Sequence, residues 1–388
     1  MARTTGSLFF RAGRVLALAA VCAAPVSLSG CARPEGVLLP VAVGAEVGDK
    51  VDMLVATTRA PSETEGVVFS GERGDTLSFA NIVVSIPPNR EPGSIQWPTR
   101  VPGDPSREFV VTQVDPLARK QVLPWFQRLP NNKRRVLVFV HGFNTPFDAA
   151  VFRFAQFVHD TNSNLAPVLF SWPSRGRVTS YLYDRESANF SRSDLAYVLA
   201  EAARSPHVDE VVVLAHSMGA WLAVEALRQL ALQDGRVPAK IKNVILASPD
   251  LDIDVFERQV RDMGPKRPSM TIFVSRNDHA LSLSRTLSGD VQRVGAVDLS
   301  NPDYAARLER GEGVTVLDLT ALEGGDALNH TKFATQPEMV RLIGDQLVAG
   351  QEISDGVTGP ANAVDKVGGA VGAVITAPIQ VFRAGMAR

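Results

Sequence analysis

Five residues, Ala215-His216-Ser217-Met218-Gly219, carry the strongest chemical signal in the chain. They follow an apolar, β-branched run at 210–215 and precede a segment, 218–232, whose apolar residues recur at helical spacing. A serine flanked two positions away by small residues can sit on a tight strand-to-helix turn, with its hydroxyl raised above a sheet. Alanine holds position 215, where glycine is the commoner choice. The bland alternative is a serine that caps the helix beginning at Met218.

A serine nucleophile needs a base, an acid and donors for the negative charge that develops. The donors are expected from the backbone N–H groups of Met218, next to the serine, and Phe143, in His141-Gly142-Phe143-Asn144 after the apolar run 136–140. A plain glycine turn would also explain that loop. Of six histidines, only His330 follows the last expected strand, just before a closing helix, and it is read as the base; His279 is the rival. His159 and His207 fall near helix ends, and His216 is adjacent to the serine. For the acid, Asp278 follows an expected strand in Ser275-Arg-Asn-Asp278, and the cluster Asp250, Asp252 and Asp254 offers alternatives. An acid there would fix the imidazole tautomer and stabilise its cation. Spacing alone leaves Asp278, Asp252 and Asp250 open, with Asp278 preferred. The Asp-x-Asp-x-Asp run does not continue as a calcium loop, because Val255 and Arg261 stand where glycine and glutamate are required. No metal and no cofactor are expected. The chemistry would be attack of Ser217 on a carbonyl with His330 taking the proton, followed by hydrolysis of the acyl-enzyme.

These residues must be positioned by alternating elements. Strands are expected at 136–140, 168–171, 210–215, 241–247, 271–275 and 314–319, with helices at 147–160, 187–204, 218–232 and 336–347. Continuous apolar strands between helices imply a mostly parallel sheet covered on both faces. Three more short strands, at 51–57, 79–86 and 109–112, read as an N-terminal β extension packed onto that domain. The expected organisation is a leader at 1–30, a linker and β extension at 31–125, the catalytic domain at 126–350 and a poorly ordered Gly/Ala-rich tail at 351–388.

The 388 residues are 45% hydrophobic and 21% charged, with a net charge of −1. This is globular composition, and it lacks the clustered positive charge that nucleic acid requires. The first 30 residues carry Arg3, Arg11 and Arg14, no acid, and then an apolar run too short to cross a bilayer. The run ends in Leu28-Ser29-Gly30-Cys31, which resembles the lipobox of bacterial lipoproteins. The only other cysteine, Cys22, would leave with the leader, so no disulfide is expected. An ordinary cleaved leader with an incidental cysteine is the plainer reading. An acylated Cys31 implies a membrane-anchored protein of the cell envelope.

Several further motifs resemble one bacterial α/β-hydrolase family of unknown function, with esterase- and lipase-like members. They are Thr57-Thr58-Arg59, Val84-Ser-Ile-Pro87, Phe139-Val-His-Gly-Phe-Asn144, Ser171-Trp-Pro-Ser174, Asp184-Arg-Glu-Ser-Ala188, Ala215-His-Ser-Met-Gly219, Ser248-Pro-Asp250 and Ser275-x-x-Asp278. The resemblance spans about residues 50–350. It implies an α/β-hydrolase fold and a triad of Ser217, Asp278 and His330, with Phe143 and Met218 at the oxyanion. It would also place Trp172-Pro173-Ser174 on the site rim, unless Trp172 simply packs. The expected activity is hydrolysis of a small-molecule or lipid ester. An inactive envelope protein that uses the fold for binding, or an acyltransferase, are the alternatives.

Overall fold

The computed structural model describes residues 33–44, 47–130, 134–301, 303–304, 313–322, 326–349 and 380–383. The leader, Cys31 and most of the C-terminal tail lie outside the described residues.

Among the described residues ten strands form one sheet: β1 (Asp49–Pro61), β2 (Phe69–Ile86), β3 (Val110–Leu117), β4 (Arg135–Val140), β5 (Ala166–Ser171), β6 (Glu210–His216), β7 (Ile241–Ala247), β8 (Ser269–Val274), β9 (Val314–Asp318) and β10 (Gln380–Arg383). Their order is β10-β9-β8-β7-β6-β4-β5-β1-β2-β3. Pairing is parallel from β9 across to β1, and antiparallel for β1/β2, β2/β3 and β9/β10. The first three strands are therefore hydrogen-bonded into the central sheet, rather than packed onto it. Leu54–Thr57 pair in register with Val168–Ser171 of β5. Chain order reverses at β4: the chain goes outward to β5, then returns to β6 on the other side. Beyond the carboxyl ends of β4 and β6 this reversal opens a crevice, the usual place for a ligand in an open α/β sheet.

Among the described residues nine helices frame the sheet: α1 (Val122–Gln127), α2 (Phe147–Thr161), α3 (Tyr181–Phe190), α4 (Arg192–Arg204), α5 (Met218–Asp234), α6 (Ile253–Met263), α7 (His279–Leu287), α8 (Lys332–Thr335) and α9 (Pro337–Ala349). Alternate residues of each central strand feed two apolar layers. Val136, Val138 and Val140 meet α4, α5 and α6 on one face, and Leu137 and Phe139 meet α2 and α9 on the other. Burial of both faces explains why these strands read as unbroken apolar runs.

Several elements depart from the sequence reading, among them α1, α7 and β10, which were not expected, and β2, which begins ten residues earlier than expected. The helix expected at 187–204 is two helices, α3 and α4, meeting at Ser191. The Ser191 hydroxyl donates to the Ser187 carbonyl at 2.8 Å and meets Thr58 Oγ1 at 2.7 Å, and such back-bonding bends helices. Helix α6 was not expected, although its signals are present. Asp252 caps its first turn, and Ile253, Phe256, Val260 and Met263 are buried at helical spacing.

Helix α5 begins so close to the end of β4 that one residue has no room for a side chain. A methyl group on Gly219 would fall onto the His141 carbonyl oxygen and within 2.7 Å of that of Val140. Backbone atoms cannot yield as a flexible side chain does. Gly219→Ala is expected to cost about 1–3 kcal/mol of stability, read from a urea titration; an unchanged midpoint would contradict this packing.

Candidate active site

Ser217 links β6 to α5 with φ 54° and ψ −124°, a conformation that non-glycine residues rarely adopt. Three backbone hydrogen bonds hold it there. Its N–H donates to Ala247 at 2.9 Å, and its carbonyl accepts from Ala220 at 3.0 Å and Asp250 at 3.1 Å. Such strain persists only where surrounding structure over-determines it. The serine lines a cavity of about 370 Å³ together with His216, His330, Phe143, Tyr181 and Leu281.

His330 faces the same cavity from the loop before α8. Asp326 shapes that loop by accepting the N–H groups of His330 and Thr331, each at 2.8 Å, and the Thr331 hydroxyl at 2.9 Å. The His330 Nδ1–H donates to Asp278 Oδ2 at 2.7 Å. The other Asp278 oxygen accepts the Leu281 N–H at 2.9 Å and so caps α7. That double use fixes the carboxylate, which has no solvent exposure. Burial works against a charged imidazole at His330, but the hydrogen bond and charge of Asp278, helped by Asp250 and Asp326, outweigh it and raise the pKa above the ordinary histidine value. With Nδ1 occupied, Nε2 remains for a proton. Among the described residues, neither the Ser217 hydroxyl nor His330 Nε2 makes a hydrogen bond, and catalytic contacts of this kind commonly tighten only on ligand binding.

Gly142 brings the loop after β4 directly against this serine, since a methyl group there would lie 2.9 Å from Ser217 Cβ. The next residue is Phe143, whose N–H has no protein acceptor among the described residues. Met218 opens α5, so its N–H belongs to the unpaired first turn of the helix. The two expected oxyanion donors thus flank Ser217.

The other candidates make different contacts. Asp252 accepts the N–H groups of Asp254 and Val255, at 2.7 and 3.1 Å, as the cap of α6. Asp250 lines the cavity but accepts from Tyr181 at 3.2 Å and Ser284 at 2.5 Å, and pairs with Arg293 at 3.3 Å. Neither reaches His330 as a hydrogen-bond partner. His279 also lines the cavity but is exposed and has no carboxylate partner among the described residues. His216 packs its ring 4.6 Å from that of His330, and its Nε2–H donates to the His330 carbonyl at 3.1 Å. Burial, then the neighbouring His330, push its pKa to about 3, so it stays neutral. Trp172 is not on the rim. It is fully buried, stacks on His141 at 4.9 Å, and donates its indole N–H to the His141 carbonyl at 2.8 Å.

Three buried charges that were given no role in the sequence reading hold the loops in place. The guanidinium of Arg59, from β1, donates to Thr145 O (2.7 Å), Ser174 O (2.9 Å), Ser70 O (3.1 Å) and Ser171 Oγ (2.8 Å). It also faces His141 Nε2 at 3.3 Å. Burial lowers the Arg59 pKa to about 9, still cationic at neutral pH. Burial, then the Arg59 charge, keep His141 neutral, with Nδ1–H donated to Gly142 O at 2.9 Å. Asp184 accepts from Ser174 Oγ (2.5 Å), Arg175 N–H (3.0 Å) and Asn144 N–H (3.3 Å), and burial raises its pKa. Lys332, its pKa lowered by burial, donates to Ser275 (3.2 Å), Asn277 (2.9 Å) and Leu319 O (3.1 Å). This joins the loop of the acid to that of the base. The motifs at 57–59 and 184–188 were the only sequence signals for the first two, and Lys332 had none beyond its closeness to His330.

This geometry can be set beside known proteins. The model of a family described as "Alpha/beta hydrolase of unknown function (DUF900)" matches residues 119–346. An uncharacterised protein of Nostoc sp. is 28% identical over 138 residues, which take in 28% of this chain and 36% of that protein. The chain thus spans little more than a third of the curated relative it matches. Among solved structures, a fungal esterase from Rhizomucor miehei matches with a TM-score of 0.39 at 13% identity, covering 79% of this chain and 84% of its own. Est1E from Butyrivibrio proteoclasticus matches at 0.36 and 12%, covering 70% and 96%. A thioesterase of the prodiginine pathway in Streptomyces coelicolor matches at 0.32 and 15%, covering 58% and 94%.

The raised pKa of His330 gives a test of the site's electrostatics. In Asp278→Asn the attractive charge is gone and burial is left unopposed. The imidazole should then lose its proton at lower pH than in the parent, and NMR titration of the histidine ring protons reads this directly. An unmoved His330 titration would contradict the assigned cause.

Proposed function

The chain belongs to the α/β-hydrolase family of unknown function matched above, and from that premise we propose that it is a serine hydrolase of carboxylic esters. The observation that carries the reading is the Asp278–His330 hydrogen bond at the cavity that also holds the strained Ser217. In this reading His330 Nε2 takes the hydroxyl proton as Ser217 Oγ bonds to the substrate carbonyl carbon. The carbonyl electron pair moves onto oxygen, where the Phe143 and Met218 N–H groups meet it. Each such donor is worth about 3 kcal/mol to the transition state. Collapse of the intermediate breaks the bond to the alcohol, which leaves with the proton from His330. Water, deprotonated by the same imidazole, then releases the acid and restores the serine.

The mouth of the cavity supports an apolar substrate. Val178, Leu283, Leu287 and Leu328 line it while remaining 49–57% exposed. Exposed apolar side chains around a pocket favour contact with a hydrophobic acyl or alcohol group. We also propose that Cys31 is acylated and anchors the protein in the cell envelope, as the Leu28-Ser29-Gly30-Cys31 motif implies.

Ser217→Ala should abolish labelling by a fluorophosphonate probe and lower ester hydrolysis by about a thousandfold or more; persistent labelling would overturn the nucleophile. Cys31→Ser, expressed with its leader, should move the protein from the membrane to the soluble fraction, whereas unchanged membrane retention would contradict anchoring at that residue.

A further inference from the structure

The cavity around Ser217 also contains two cations that ester cleavage itself does not use. Arg153 comes from the second turn of α2, and Arg33 precedes the first strand; both line the cavity. Arg153 is partly buried. Its Nη1 donates to Gly93 O at 3.2 Å and to Gln156 Oε1 at 2.7 Å. Its Nε and Nη2 make no hydrogen bond among the described residues, and neither is one of the sealed, partnerless buried atoms. Both therefore keep some exposure, on a side chain that lines the cavity. Arg33 stacks 3.6 Å over the Trp97 ring, which also lines the cavity.

Both guanidinium groups line this one cavity, and the Arg33 charge, after burial, disfavours the cationic form of Arg153. Burial lowers the Arg153 pKa to about 10, and Asp326 partly offsets that effect. Arg153 therefore remains charged at neutral pH. Asp326 does not neutralise it by contact: no ion pair joins them among the described residues, and one Asp326 oxygen is already committed to Thr331 and His330. A planar, partly desolvated guanidinium with free N–H groups matches the two oxygens of a carboxylate or phosphate. Low surrounding polarity strengthens that attraction relative to water.

We propose that Arg153, assisted by Arg33, binds an anionic group of the substrate, a carboxylate or phosphate set away from the scissile ester, so that the enzyme selects negatively charged esters. This rests on the serine-hydrolase reading above and specifies its substrate class. In it Arg153 is a specificity residue, with no part in proton transfer.

The test compares kcat/KM for the glutarate half-ester of p-nitrophenol with that for the neutral p-nitrophenyl pentanoate. The parent enzyme should prefer the charged ester. In Arg153→Gln the ratio of the two should fall by about tenfold or more, the scale of one charged hydrogen bond, while Arg153→Lys should keep part of it. Equal kcat/KM for both esters in the parent, or a ratio unchanged in Arg153→Gln, would overturn the proposal. Competition by monomethyl glutarate and by propyl phosphate distinguishes the two anions, and inhibition by neither would also overturn it. Calorimetry of monomethyl glutarate with Ser217→Ala protein separates this proposal from the catalytic one. Binding that disappears in the Ser217→Ala, Arg153→Gln double variant supports the anion site even if Ser217 proves not to be the nucleophile; binding that survives Arg153→Gln overturns the site even if the nucleophile stands.

Discussion

The site depends on one close backbone approach, where the turn after β4 lies against the turn after β6. Because chain order reverses between these adjacent strands, their carboxyl ends open side by side onto one crevice. His141 and Gly142 leave β4 there, and Ser217 and Gly219 leave β6. Gly142 and Gly219 are needed because the opposing backbone and the serine Cβ occupy the space a side chain would take. That contact brings the Ser217 hydroxyl close to the backbone N–H groups of Phe143 and Met218, across 75 positions of chain between Gly142 and Ser217. Widening it by even one methyl group would separate the groups the chemistry needs together.

Around this contact the fold places ions where water is excluded. A buried charge is costly unless hydrogen bonds replace its hydration. Arg59 meets that condition through three carbonyls and a hydroxyl, and in doing so it fixes Thr145 and Ser174. Asp184 holds Ser174, Arg175 and Asn144 from the other side. The loop that offers the Phe143 N–H is thus clamped at the following two residues. Lys332 does the same for the loops of Asp278 and His330. In the proposed mechanism, preorganised dipoles need no rearrangement as charge develops, which would give such positioning residues their importance although none touches a reacting atom.

Much of this was legible in the sequence, for definite reasons. The central strands announce themselves because both faces are buried, so apolar residues run without interruption. The serine turn shows because small residues are needed at fixed spacing around it. Other features depend on pairings that local sequence does not encode. The place of β1 in the sheet is decided by its contact with β5, more than a hundred residues away. The acid was open between Asp278, Asp250 and Asp252, because a carboxylate after a strand can equally cap a helix. Asp252 does only that, whereas Asp278 does it with one oxygen and holds His330 with the other. Arg59 sits in a strand, where an arginine ordinarily reads as surface, and Trp172 reads as rim until its indole is seen bonded beneath His141.

Covalent attack by the Ser217 oxygen is the central step of the proposed mechanism. Mass spectrometry of the protein quenched in acid during turnover of a slowly hydrolysed ester addresses it directly. The acyl mass should appear on the peptide that contains Ser217 and vanish as substrate is exhausted. Turnover with no acylated peptide, or with the acyl group on a different residue, would contradict it.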